Sequence, residues 1–91
     1  MESKTHLIEF FGQECEHCEK MKPLVEKLER ELDITVEKRE VWHNDENREA
    51  MMKVDVEHCD GVPFFYNEKS KKTLCGEAEY VDLLAWATAE Q

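Results

Sequence analysis

Two cysteines in the tetrapeptide Cys15-Glu16-His17-Cys18 constrain this chain more than any other feature. An apolar run, Leu7-Ile8-Glu9-Phe10-Phe11, precedes them, and a long helical pattern follows. Thiols three residues apart at a helix start can close into a small disulfide ring. A helix N-terminus carries partial positive charge and unpaired N–H groups, so it favours the thiolate of Cys15. The thiolate is the attacking species in disulfide exchange, and Cys18 stands where it can resolve a mixed disulfide.

The pattern around this motif defines an α/β chain. Thr5 to Phe11 reads as a short buried strand, interrupted by Glu9, whose carboxylate is costly to bury unless paired or protonated. Gly12-Gln13-Glu14 turns into the helix. Cys18, Met21, Val25, Leu28 and Leu32 then recur at steps of three and four, with Glu and Lys opposite. Pro23 removes one helical hydrogen bond and is expected to kink the helix; Asp33 ends it. Ile34 to Val41 alternates as a half-exposed strand. Asn44-Asp45 starts a helix running to about Val54, with Ala50, Met51 and Val54 inward.

A loop with His58 and Cys59 leads to Gly61-Val62-Pro63. Phe64-Phe65-Tyr66 is a strand, Asn67 to Ser70 a turn, and Lys72 to Cys75 the return strand, ended by Gly76. Glu77 to Ala89 is the last helix, with Tyr80 or Val81, Leu84, and Ala87 or Thr88 inward. The order is β-α-β-α-β-β-α in one domain over residues 1–91. A parallel, right-handed strand-helix-strand unit plus a hairpin gives a four-stranded mixed sheet flanked by three helices on both faces.

Charge and length narrow the partners. Ninety-one residues make one small core. The net charge of −10 argues against nucleic acid and anionic membrane surfaces, which both need Lys/Arg patches. The polar start, Met1 to His6, has no apolar signal segment, and no run is long enough to span a bilayer. A cytoplasmic location is expected, where a CxxC pair is catalytic or metal-binding rather than structural.

These residues together resemble the thioredoxin family, and more closely the catalytic domains of protein disulfide isomerase. Leu7 to Phe11 resembles the strand before the active site, with Glu9 at the place of the family's buried acid. Cys15-Glu16-His17-Cys18 resembles the redox motif, Pro23 falls at the family's helix kink, and Lys38 matches a lysine beside the buried acid. Gly61-Val62-Pro63 resembles the loop whose cis proline faces the cysteines. The N-terminal strand and helix of full-length members are missing, so the outline is the minimal, glutaredoxin-sized form. One departure is Glu14, where the family usually has Trp. Glu14 and Glu16 set negative charge beside Cys15 and oppose the helix dipole, and a protonated His17 acts the other way.

The resemblance implies a thiol–disulfide oxidoreductase acting in electron transport and reducing or exchanging protein disulfides. Cys15 is then the nucleophile and Cys18 the more buried resolving thiol. Glu9 is the base for Cys18, with Lys38 as its partner; a simple Glu9–Lys38 ion pair is the blander reading. Val62 and Pro63, with Glu16 and His17, are the expected substrate contacts. No cofactor beyond the Cys15–Cys18 disulfide is expected, and the chain is expected to be a monomer served by a thioredoxin reductase-like donor or glutathione.

Alternatives stay open: a glutaredoxin-like, glutathione-dependent reductase, a zinc or iron–sulfur module, and an interaction domain with incidental cysteines. Zinc wants four ligands, usually as two close pairs, and Cys59 and Cys75 form no second CxxC. Those two cysteines read as a second, regulatory disulfide, with Cys59 alternatively a glutathionylation or dimerisation site, or as small apolar residues, the last favoured for Cys75. His43 and His58, with Asp45 and Asp60, match no metal motif and read as surface residues. Trp42 and Trp86 read as packing residues.

Overall fold

The computed structural model describes residues 5–59 and 61–89. Its elements are β1 (Leu7–Phe11), α1 (Glu16–Leu32), β2 (Glu37–Glu40), α2 (Asp45–Val54), β3 (Phe64–Asn67), β4 (Thr73–Cys75) and α3 (Tyr80–Thr88). The sheet order is β2-β1-β3-β4. β1 pairs with β2 in parallel, and β1–β3 and β3–β4 are antiparallel. This is the four-stranded mixed sheet with three helices that the order of periodicities implies.

Strand alternation sorts the core into two layers. Leu7 and Phe65 face α1 and α3, joining Met21, Val25, Leu28, Leu83, Trp86 and Ala87. Ile8, Phe10 and Phe64 face α2 and join Val41 and Met51. The Phe65 and Trp86 rings meet edge to face with centroids 5.3 Å apart, and Phe10 and Phe64 stack at 6.0 Å. Because side chains alternate, Glu9 shares the α1 face with Leu7. The sheet therefore presents its one buried carboxylate to the helix that carries the cysteines.

Asn67 closes the far end. Its side chain is fully buried. Its Nδ2 donates to the Trp86 and Ala89 carbonyls at 2.9 and 3.3 Å, and its Oδ1 accepts from the N–H groups of Lys69 and Ser70. One amide thus shapes the hairpin turn and satisfies carbonyls at the end of α3.

Several boundaries differ from the sequence expectation. β2 is shorter than residues 34–41, because the Ile34 and Val36 N–H groups are taken by the Glu29 carbonyl and carboxylate instead of a strand ladder. α3 begins at Tyr80, not Glu77, and buries Leu83, Trp86 and Ala87, leaving Val81 65% exposed. α1 carries Pro23 on its exposed side and ends at Asp33, which adopts the left-handed conformation at φ 55°. Asp60 and Met1 to Lys4 lie outside the described residues.

Candidate redox site

The site is built on the junction between β1 and α1. β1 delivers the chain at the edge of the core, and the turn at 12–14 reverses it. Cys15 is the N-cap of α1, in extended conformation. Its N–H donates to the Gly12 carbonyl at 3.1 Å, and its carbonyl accepts from Glu19. Its sulfur accepts the backbone N–H of Cys18 at 3.0 Å, the bond an N-cap side chain makes. Cys15 and Cys18 are joined as a disulfide with Cα atoms 5.2 Å apart.

Both cysteines are 4% exposed, so Cys18 is not the more buried of the two. The reason lies across the groove, where the Val62 carbonyl oxygen stands 3.7 Å from the Cys15 sulfur and covers it. The Val62–Pro63 peptide is cis. Among the described residues, the Val62 backbone has no backbone hydrogen-bond partner.

Glu9 and Cys18 line the same cleft, of about 430 Å³, with Lys22, Val25 and Lys38. Burial pushes the Glu9 carboxyl up to about 7; attraction from Lys38 and Lys22 opposes this, and repulsion from Glu29 adds to it. Lys38 sits opposite Glu9 in the β1–β2 register. Its ammonium, however, bonds the Glu29 carboxylate at 2.9 Å and the Val36 carbonyl at 3.1 Å. Lys38 therefore acts on Glu9 through space and is not its ion-pair partner.

The remaining sequence candidates are placed as follows. Glu16 is exposed at the first position of α1. His17 pairs through Nδ1 with Glu77, in the segment before α3. That hydrogen bond holds the Glu77 carboxyl below its ordinary range. Cys59 and Cys75 are joined as a second disulfide, and Cys75, read as a buried apolar residue, is exposed. Cys75 is the last residue of the edge strand β4, opposite Phe64, and its sulfur is bonded to Cys59. His43 and His58 are exposed, and among the described residues no cluster of three or more His, Cys, Asp or Glu is arranged to hold a metal.

The arrangement of four residues around the turn before Cys15, namely Glu14, Glu40, Trp42 and His43, gave little sequence signal. Trp42 is 51% exposed and lies against Gly12, where a Cβ would overlap its indole. Only glycine permits that approach. Trp42, Met51, Met52 and Val62 also line a groove of about 260 Å³ beside the Val62 segment. Glu40 accepts the N–H groups of Gln13, Trp42 and His43 at 2.8–3.1 Å. Burial pushes the Glu40 carboxyl up, but those three N–H groups together hold it below its ordinary range. Glu14 bonds His43 Nε2 at 2.9 Å and draws the imidazole up from its ordinary value. The signal for this knot was the glycine itself, between a strand and a CxxC motif.

A disulfide at the N-terminus of a helix following the central strand, facing a Val-Pro segment, defines a thioredoxin-like redox site. The thioredoxin family model matches residues 1–89 of the 91-residue chain, and the chain belongs to that family. No curated protein matches it. No helix among the described residues is long and apolar enough to cross a membrane.

Proposed function

We propose that this protein is a thiol–disulfide oxidoreductase that reduces or exchanges disulfides in other proteins, with Cys15 as nucleophile and Cys18 as resolving thiol. The observation that carries this reading is the bond from the Cys18 N–H to the Cys15 sulfur. A donor already aimed at that sulfur stabilises it as a thiolate, and the helix dipole adds to the effect.

In the reducing direction the Cys15 thiolate attacks one sulfur of a substrate disulfide. A Cys15–substrate disulfide forms, and the other substrate sulfur leaves as a thiolate and takes a proton. Cys18 then gives its proton to Glu9 and attacks Cys15. The second substrate thiol leaves, the Cys15–Cys18 ring closes, and two electrons have passed to the substrate. Glu9 suits this role because its carboxyl, at about 7, takes and releases a proton near neutrality. The shared cleft is wide enough for water to carry the proton between the two groups.

The backbone of Val62 offers an extended substrate segment a carbonyl and an N–H beside Cys15, as in strand addition. The apolar groove under Trp42 adds contact area for the same segment. A dithiol or glutathione donor in a reducing compartment such as the cytoplasm returns the pair to the thiol form.

Insulin is a convenient protein disulfide for the test. Wild-type protein with excess dithiothreitol is expected to accelerate insulin reduction, and Cys18→Ser is expected to accumulate a Cys15-linked insulin adduct visible by mass spectrometry. Absence of both would overturn the reading. Iron or zinc in the freshly purified protein would favour the metal-binding alternative.

A further inference from the structure

The Cys59–Cys75 disulfide lies outside the chemistry just described, yet it holds a part of the same site. Cys59 and Cys75 are 16 residues apart with Cα atoms separated by 5.9 Å. Between them run Gly61, Val62, Pro63 and the β3–β4 hairpin. The Cys59 N–H donates to Asp55 Oδ1 at 2.7 Å, at the C-terminal end of α2. Cys75 ends β4 opposite Phe64, and the Gly76 N–H donates to the Pro63 carbonyl at 2.8 Å.

These ties are layered. The Phe64–Cys75 register and the Gly76–Pro63 bond close the hairpin without any help from the sulfurs. The disulfide adds a tie to residue 59, three positions before Val62. The backbone ties do not depend on the sulfurs, nor does the Cys59 N–H bond to Asp55, whereas the covalent link from the segment before Val62 to β4 does. Reagents can reach the bond, because Cys75 is exposed and Cys59 half-buried.

We propose that Cys59–Cys75 is a second thiol–disulfide exchange site, opened by a dithiol reductant, whose state sets how firmly the Val62 segment is held opposite Cys15. One thiolate of the reductant attacks the Cys75 sulfur, and the Cys59 sulfur leaves as a thiolate and is protonated. The second thiol of the reductant then attacks its own linked sulfur, and Cys75 is released as a thiol. Two electrons and two protons pass to the cysteine pair, and the reductant departs as a disulfide. The oxidised protein presents a fixed docking edge to its substrate, and the reduced protein a loose one. The exchange itself stands on geometry alone, whereas its effect on substrate rests on the proposed role of Cys15.

The test separates the two. Cys15→Ser/Cys18→Ser protein is titrated with dithiothreitol while thiols, far-ultraviolet circular dichroism and amide hydrogen exchange are followed. Two thiols per chain are expected to appear with the circular dichroism unchanged. Exchange of the Cys59 N–H, which bonds Asp55, is expected to quicken about tenfold or more, with β3 unchanged. No thiols in the folded protein, or exchange that stays the same or quickens equally in β3, would overturn the proposal. In protein with the first pair intact, Cys59→Ser/Cys75→Ser is expected to raise KM for insulin several-fold with kcat retained. An unchanged KM would overturn the docking role. Wild-type protein inactive on insulin would defeat the reading of Cys15, while the thiol count and exchange data would still decide the second site.

Discussion

Glu9 and Cys18 line one cleft, the carboxyl on the central strand and the sulfur in the first turn of α1. Glu9 is 4% exposed, and burial holds its carboxyl at about 7 against 4.5 in an unfolded chain. Between those values the folded state keeps a proton that the unfolded state has lost, so stability falls as pH rises from 4.5 to 7. The shift corresponds to a loss of about 3 kcal/mol by pH 8. Glu9→Gln is expected to recover up to that amount in urea unfolding at pH 8 and little at pH 4. The same variant is expected to slow release of the mixed disulfide and to flatten the rise of activity through neutral pH. Unaltered pH dependence of activity would remove Glu9 from the proton path.

Gly12 and Trp42 form a close contact with no room for a side chain. Gly12→Ala is expected to destabilise the protein by about 1–3 kcal/mol through overpacking. Trp42→Ala in the same chain is expected to restore most of that loss. Denaturant unfolding of the two single variants and the double variant gives the coupling energy. Additive effects would contradict the contact.

Much of the frame could be read from residue order. Apolar steps of three and four gave α1, a short apolar run gave β1, and Asn44 marked the start of α2, where its side chain caps the Asn47 N–H at 3.0 Å. These signals are local, and local signals survive without tertiary contacts. Pairings between distant polar residues leave no such trace. Nothing near His17 points to Glu77, 60 residues on, and Lys38 had Glu9 as its evident partner until Glu29 proved to hold it. The Cys59–Cys75 bond was equally hidden, because spacing alone does not separate a bonded pair from two small apolar residues. The knot of Glu14, Glu40, Trp42 and His43 around the turn before Cys15 was missed for the same reason.

His43 titrates in that knot. Its hydrogen bond to Glu14, followed by the attraction of that carboxylate, raises it above 6.5. The pair's contribution is present below pH 6.5 and is lost as pH rises through the raised value. An NMR titration is expected to find His43 above 6.5 in the wild type and closer to it in Glu14→Gln. The same midpoint in both proteins would show that the two side chains are not paired in solution.

Asn67 makes four hydrogen bonds from full burial. Asn67→Ala leaves the N–H groups of Lys69 and Ser70 and the Trp86 carbonyl without this partner. A loss of about 2–3 kcal/mol is expected in thermal or urea unfolding. Asn67→Asp is expected to keep the two bonds accepted by Oδ1 and lose the two donated by Nδ2. A loss below about 0.5 kcal/mol for Asn67→Ala would mean that solvent replaces the side chain.

The central claim is that Cys15 and Cys18 form a working redox couple. It is tested most directly by the reduction potential of that pair, measured against dithiothreitol and glutathione buffers in Cys59→Ser/Cys75→Ser protein. A reversible two-electron couple between about −270 and −180 mV is predicted, with the lower end marking a reductase and the upper end an oxidase or isomerase. A pair that never forms a disulfide reversibly, or that resists reduction below about −300 mV as structural disulfides do, would contradict it.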